Sequence, residues 1–150
     1  MTPAEPGTDR EADRRRTEAL ELAKRALARR EHTQRSLLEK LCRAGVSAEH
    51  GEAVAEELTR AGLLDEGRFA HERARVLAER GKGDAAIRFE LDRAGVEASE
   101  VEAALAALDP ERERAARLID RRGATPATAR LLASRGFDED VVAAIVAREP

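Results

Sequence analysis

Three short stretches constrain the fold of this chain more than any other feature: CRAGV at 42–46, DRAGV at 92–96 and ASRGF at 133–137. Each follows or contains the same device, a leucine (Leu41, Leu91, Leu132) four residues before a glycine (Gly45, Gly95, Gly136). A leucine on the last turn of a helix meets a core, and the glycine supplies the left-handed stop. The glycines are 50 and then 41 residues apart. Those offsets fall in the range of helical repeat arrays, whose units bury their apolar sides partly against neighbours. A single irregular bundle gives many of the same periodicities, but the recurring stop favours three tandem three-helix units.

Composition agrees with an all-α class. The hydrophobic share is 42% with no Trp or Tyr, and charged residues make up 38% of the 150. Ala, Leu, Glu and Arg enter helices at little cost, while strand-forming aromatic and β-branched residues are scarce. No apolar run approaches the roughly 20 residues that cross a bilayer, and the amino terminus lacks the hydrophobic stretch of a secretory signal. A cytoplasmic protein with no membrane partner is expected. The lone Cys42 cannot form an intramolecular disulfide, in keeping with a reducing compartment. Its place on an apolar helix face, with no adjacent His or Lys, suggests a small core residue.

Net charge is −3, so the whole molecule is no polycation. The charge is uneven, however: residues 9–43 hold 11 basic and 7 acidic side chains, and residues 111–135 hold 7 and 3. Local basic faces are therefore available, although a solvated helix surface explains any one run equally simply.

Along the chain, residues 1–8 form an expected disordered tail. The first repeat, 9–64, opens with an Arg-rich helix from Asp9 to about Arg30 carrying the stripe Leu20, Ala23, Leu27. Thr33 caps a second helix with Leu37, Leu38, Leu41 and Cys42, and a third follows Ser47 with Val54, Ala55 and Leu58. The second repeat, 65–108, has Asp65 capping a helix with Phe69, Ala70, Arg73, Val76 and Leu77. Asp84 caps the next, with Ile87 and Leu91, and Val101, Leu105 and Leu108 mark a third. The third repeat, 109–150, opens on Asp109 and Pro110, continues at Thr125 and Pro126, and ends with an Asp138-capped helix bearing Val142, Ile145 and Val146.

Signs of catalysis or cofactor binding do not emerge. GKGDAA at 81–86 formally matches a dinucleotide fingerprint, but that fingerprint needs a preceding strand and a charged helix precedes it here. His32, His50 and His71 are scattered without ligand spacing, so they read as surface residues, and no metal or other cofactor is implied. Carboxylates sit three or four residues from Arg or Lys, as in Glu21 with Arg25 and Arg88 with Asp92, and read as intrahelical pairs. The reading is of a protein that is not an enzyme.

At 62–96, GLLDEGRFAHERARVLAERGKGDAAIRFELDRAGV resembles the RecX family of bacterial recombination regulators. The matching residues are Gly62, Leu64 and Asp65, then Arg68, Phe69 and Ala70, then Arg80, Gly83, Ile87, Glu90, Leu91, Gly95 and Val96. RSLLEKLCRAGV at 35–46 and GFDEDVVAAIV at 136–146 fit the family's flanking repeats. The chain departs from the pattern at Leu63, where an aromatic is common, at Asp84, where proline is common, and at Ala86, where a basic residue is usual. The resemblance implies a curved, elongated array of three three-helix repeats. It implies binding to the RecA recombinase filament on single-stranded DNA and restraint of strand exchange, ATPase and coprotease activity, within regulation of DNA repair and the SOS response. A weak direct DNA contact and a monomeric state complete this expectation. The candidate partner-binding residues are Arg68, Arg73, Lys82, Arg88, Arg93, Arg117, Arg121 and Arg122. Phe69 is expected as a core wedge between the first two repeats. The competing reading is a helix-turn-helix DNA-binding module acting without a recombinase, against which stand the negative charge and the lack of Tyr or Trp for base stacking.

Overall fold

The structure, a computed structural model, describes residues 6–147. Among these residues there are nine helices and no strand: α1 (Pro6–Arg29), α2 (Gln34–Arg43), α3 (Ala48–Arg60), α4 (Glu66–Glu79), α5 (Asp84–Arg93), α6 (Ala98–Ala106), α7 (Glu111–Arg122), α8 (Pro126–Ser134) and α9 (Glu139–Val146). They form three hydrophobic cores, one per helix triplet. The chain divides into two compact units, Met1–Glu66 and Gly67–Pro150, the second holding two of the triplets. Of the expected tail, residues 1–5 lie outside the described residues, and Pro6 already belongs to α1.

The three stops repeat in atomic detail. Gly45, Gly95 and Gly136 have φ of +89°, +86° and +87°, where a side chain would be strained. The residue after each glycine donates its N–H to the leucine carbonyl five positions back, Val46 to Leu41, Val96 to Leu91 and Phe137 to Leu132, at 3.0–3.1 Å. Leu41, Leu91 and Leu132 are thus held at both ends, carbonyl in the cap and side chain in the core. Burying each side chain is worth about 1.5–3 kcal/mol.

In the first unit α1 presents alanines. Ala19, Ala23 and Ala26 are buried while Leu20 and Leu27 are half-buried on the flank, so the apolar stripe is rotated from the expected Leu20, Ala23, Leu27 row. Small side chains there let α1 lie close on Val54, Ala55 and Leu58 of α3. Thr33 caps α2 as expected, accepting from the Ser36 N–H, and Ser36 Oγ accepts the Thr33 N–H in return. Ser47 caps α3.

Cys42 and His32 also depart from expectation in this unit. Cys42 is exposed, because Leu37 and Leu41 fill the inward face and Cys42 lies about 100° past Leu41. His32 is buried to 1% exposure rather than on the surface: it sits in the α1–α2 turn with Nδ1 2.9 Å from Ser36 Oγ. No partner reaches its Nε2.

In the second unit, α4, α5 and α6 enclose Ala70, Ala74, Leu77, Ile87, Leu91, Val96, Val101, Ala104 and Leu105. The core row of α4 is Ala70, Ala74 and Leu77; Phe69 packs half-buried against the edge of that core. Helices α7, α8 and α9 enclose Ala115, Ile119, Leu132, Phe137, Val142 and Ile145. Thr125 and Asp138 cap α8 and α9 as expected, with Pro126 in the first turn of α8. Two caps differ. Asp84 is the first residue of α5 behind an N-cap glycine, Gly83, and Pro110 is the N-cap of α7 rather than its first helical residue. Both aspartates are drawn away by arginines, Asp84 to Arg114 and Asp109 to Arg117.

A backbone joint ties these last two triplets together. The Gly83 N–H donates to the Arg135 carbonyl at 2.8 Å and the Ala85 N–H to the Gly136 carbonyl at 3.2 Å. Glu111 Oε1 accepts from the Asp84 N–H at 3.0 Å and the Asp138 N–H at 3.4 Å, so one carboxylate serves the amino ends of both α5 and α9. Arg114, only 9% exposed, donates to the carbonyls of Lys82 and Asp109 and to the Asp84 carboxylate, with Phe137 beneath its guanidinium at 5.9 Å. The GKGDAA glycines therefore make a helix–helix joint. A phosphate has no room beside Gly83, whose α-carbon lies against the backbone of Gly136 and Phe137.

Candidate partner-binding site

The cations singled out from sequence gather mainly on two surfaces of the second unit. The first is a groove of about 710 Å³ along α4 and α5. Phe69 and Arg73 of α4 line one side; Lys82, Ala86, Phe89, Glu90, Arg93 and Ala94 line the other. On α5 these positions recur at helical spacing, beside the Ile87–Leu91 row that enters the core. Helix α5 therefore carries two faces, one apolar and inward, one mixed and outward.

Phe89 is the most unusual group on this surface, at 66% exposure. A phenylalanine ring left in water forgoes most of the roughly 1.5–3 kcal/mol that burial provides. Around it stand three cations and a single carboxylate. Arg73 spans the groove to Glu90, Nη2 to Oε2 3.1 Å, so this pair is close to neutral as a unit. The Lys82 ammonium has no bonded partner among the described residues, its backbone carbonyl being the part taken by Arg114. Phe89 was not among the residues singled out from sequence. The available signal was its phase: an aromatic two residues after Ile87 and two before Leu91 stands about 200° from Ile87 around the helix, off the buried row.

The second surface is a cleft of about 480 Å³ between α4, the end of α6 and α7, lined by Arg75, Glu79, Asp109, Arg114, Arg117, Arg121 and Phe137 among others. Its charge is largely committed. Arg117 bonds Asp109 at 2.6 Å, Arg75 bonds both Glu72 and Glu79 at 2.6 Å, and Arg114 belongs to the joint. The Arg75 hydrogen bond holds the Glu72 carboxyl below its ordinary range. Arg121 completes the lining without an ion pair among the described residues.

The remaining candidates are dispersed. Arg88 turns from the groove to Glu102 of α6, Nε to Oε1 2.8 Å, and not to Asp92 on its own helix. That hydrogen bond lowers the pKa of Glu102 and raises that of Arg88. Likewise Glu21 meets Lys24, at 4.0 Å, where Arg25 was expected. Arg68 is exposed on α4 and engaged elsewhere, outside the groove lining, and Arg122 lies exposed at the end of α7. Among the described residues no cluster of three or more His, Cys, Asp or Glu is arranged to hold a metal ion, and no helix is long and apolar enough to cross a membrane.

Comparison with known proteins places these helices in a family context. The model of the RecX second three-helix domain matches residues 65–105, which contain all of α4, α5 and nearly all of α6. A protein of Stenotrophomonas maltophilia named regulatory protein RecX is 36% identical over 126 residues, covering 77% of each chain. One of the same name from Acidithiobacillus ferrooxidans is 33% identical over 139 residues, 85% of this chain and 87% of the relative. A third, from Halorhodospira halophila, is 50% identical over 74 residues; that alignment spans 49% of this chain and 46% of the relative. The crystal structure of RecX from Lactobacillus salivarius superposes with a TM-score of 0.78 over 90% of this chain and 96% of that one, at 17% identity, a likeness of fold.

Proposed function

Because the chain belongs to the RecX family of regulatory proteins, we propose that it is a non-enzymatic regulator that binds the RecA recombinase filament on single-stranded DNA and restrains strand exchange, ATPase and coprotease activity. The observation that carries this reading is the match to relatives named as regulatory proteins over more than three quarters of the chain. The surface chemistry supports it. The groove on α4 and α5 combines an exposed aromatic ring with cations, the combination enriched at the energetic centre of protein interfaces. It lies in the segment that the family model matches. A regulator that works by binding alone needs such a surface and no reacting groups.

The test is RecA-driven strand exchange with the purified full chain. Inhibition at substoichiometric or equal amounts is expected, with the protein sedimenting together with filaments formed on single-stranded DNA and ATP. Undiminished exchange in the presence of excess protein would reject the reading. Tight, steeply salt-dependent binding to naked duplex without recombinase would instead favour a DNA-binding module.

A further inference from the structure

The turn between α4 and α5 is a ridge between two hollows: Gly81 lines the cleft beside α7, and Lys82, the next residue, lines the α4–α5 groove. Two cations belong to the turn itself, Arg80 and Lys82. Two more come to it from the third triplet. The Arg135 side chain, at the end of α8, lies across Gly81, where an added Cβ would stand 2.7 Å from Arg135 Nη1 and 3.8 Å from Leu118 Cδ1. Arg121 follows Leu118 by one turn of α7 and shares the cleft with Gly81. The Gly83–Arg135 hydrogen bond holds the two turns together, so these cations sit on a fixed backbone.

None of the four side chains has a hydrogen-bond or ion-pair partner among the described residues. The carboxylates around them are committed: Glu79 to Arg75, Asp84 to Arg114, Asp109 to Arg117, and Glu111 to the amino ends of α5 and α9. Asp120 stands about 100° around α7 from Arg121 and is not part of the cleft lining. Glu139 and Asp140 lie in the first turn of α9, where they complement its amino end. Four positive charges are thus left uncompensated around one ridge. We propose that this ridge binds the phosphodiester backbone of nucleic acid, with Arg80, Lys82, Arg121 and Arg135 each available to a phosphate.

The chemistry favours a phosphate chain over an acidic protein segment. Protein interfaces are anchored by aromatic or apolar side chains that leave water on binding. The large hydrophobic residues exposed among the described residues are Leu63 and Phe89, and neither is on this turn, α7 or α8; Leu118 is half-buried and Phe137 lies beneath Arg114. Charge without an apolar anchor suits a backbone that carries a phosphate at every nucleotide and needs no side-chain pocket. Three of the four cations are arginines, whose planar forks match phosphate oxygens. Such a contact goes beyond the proposed regulatory role: it needs no recombinase, and its loss leaves that role standing.

Binding of the full chain to a fluorescent oligothymidylate is measured by anisotropy at a series of salt concentrations, without recombinase. The logarithm of affinity should fall against the logarithm of salt with a slope of about −2 to −3, as three to four engaged phosphates require. Arg121→Gln and Arg135→Gln should each weaken binding roughly 2- to 5-fold at low salt and lower the slope by about 0.7. Arg130→Gln removes the same charge from the face of α8 opposite Leu132 and should change neither quantity. Thermal unfolding checks each variant, and Arg80→Gln, whose side chain holds no partner, should repeat the loss if Arg135→Gln disturbs the fold. No binding at the lowest salt overturns the proposal, as do losses no larger than that of Arg130→Gln. Displacement of the oligonucleotide by polyglutamate as effective as by unlabelled oligonucleotide would make the ridge a site for acidic protein and overturn it too. Oligonucleotide binding together with undiminished RecA-driven strand exchange would keep the ridge assignment and reject the regulatory role.

Discussion

Replacing Gly83 by alanine isolates the joint between the last two helix triplets. The residue sits at φ −84° and ψ 171°, ordinary extended backbone, so alanine carries no conformational penalty of its own there. The obstacle is steric and made of backbone: an added Cβ would stand 2.4 Å from Gly136 C and Phe137 N and 2.5 Å from Gly136 O. Backbone cannot rotate aside, so the loops must part. Overpacking of that kind costs about 1–3 kcal/mol, and each inter-loop hydrogen bond lost adds about 1 kcal/mol. With the Gly83–Arg135 and Ala85–Gly136 bonds both at stake, the expected cost is about 3–5 kcal/mol. Gly45→Ala is the control of opposite kind. Its φ is +89° with nothing within 4 Å of an added Cβ, so it should cost only the left-handed penalty, about 1–2 kcal/mol. Urea unfolding gives the magnitudes, and amide exchange separates the causes. Gly83→Ala should expose the amides of residues 83 and 85 to exchange, while Gly45→Ala should leave both protected. If Gly83→Ala costs no more than the control, or leaves those amides protected, the joint is not held as described.

Further outcomes follow from Arg114 and His32, two of the buried polar residues. Arg114→Ala removes the donor for two carbonyls and the Asp84 carboxylate and should cost about 2–4 kcal/mol in urea unfolding, whereas Arg117→Ala, whose pair with Asp109 is exposed, should stay within about 0.5 kcal/mol. Burial first, then Arg30 and Lys40, lowers the pKa of His32 below its ordinary 6.5. Above that value the imidazole is neutral in both states and stability is undiminished; as pH falls below it, the unfolded chain takes up a proton that the folded one resists, and stability declines. His32→Gln should flatten that part of the pH profile of denaturant unfolding, and an unaltered slope would contradict the assignment.

Local signals are what the sequence displayed best. Thr33, Ser47, Thr125 and Asp138 cap helices because each acts on amides two or three residues away, and the leucine–glycine stops act within one turn. What could not be read depends on distant partners. Arg88 had Asp92 at helical spacing, yet the fold brings Glu102, 14 residues away, into better geometry. Asp84 looked like a cap until Arg114, 30 residues on, claimed its carboxylate and left the capping role to Gly83. His32 looked like a surface residue because a single polar position between two helices has no periodicity to mark it. The groove was half legible: Arg73, Lys82 and Arg93 were named as cations, while Phe89 passed unnoticed because attention to an apolar row discards whatever falls off it.

The joint and the groove meet in helix α5, and this bears on affinity. Its amino end is fixed by the Gly83 and Ala85 hydrogen bonds, by Glu111 and by Arg114, and its inward row by Ile87 and Leu91 in the core. Phe89 is therefore exposed on a helix that has little freedom left to lose. Ordering an interface normally costs about 0.5–1.5 kcal/mol for each flexible side chain immobilised. A phenylalanine has only two torsions and stands here on a fixed backbone, so any partner that covered the Phe89 ring would lose little of what its burial supplies to ordering.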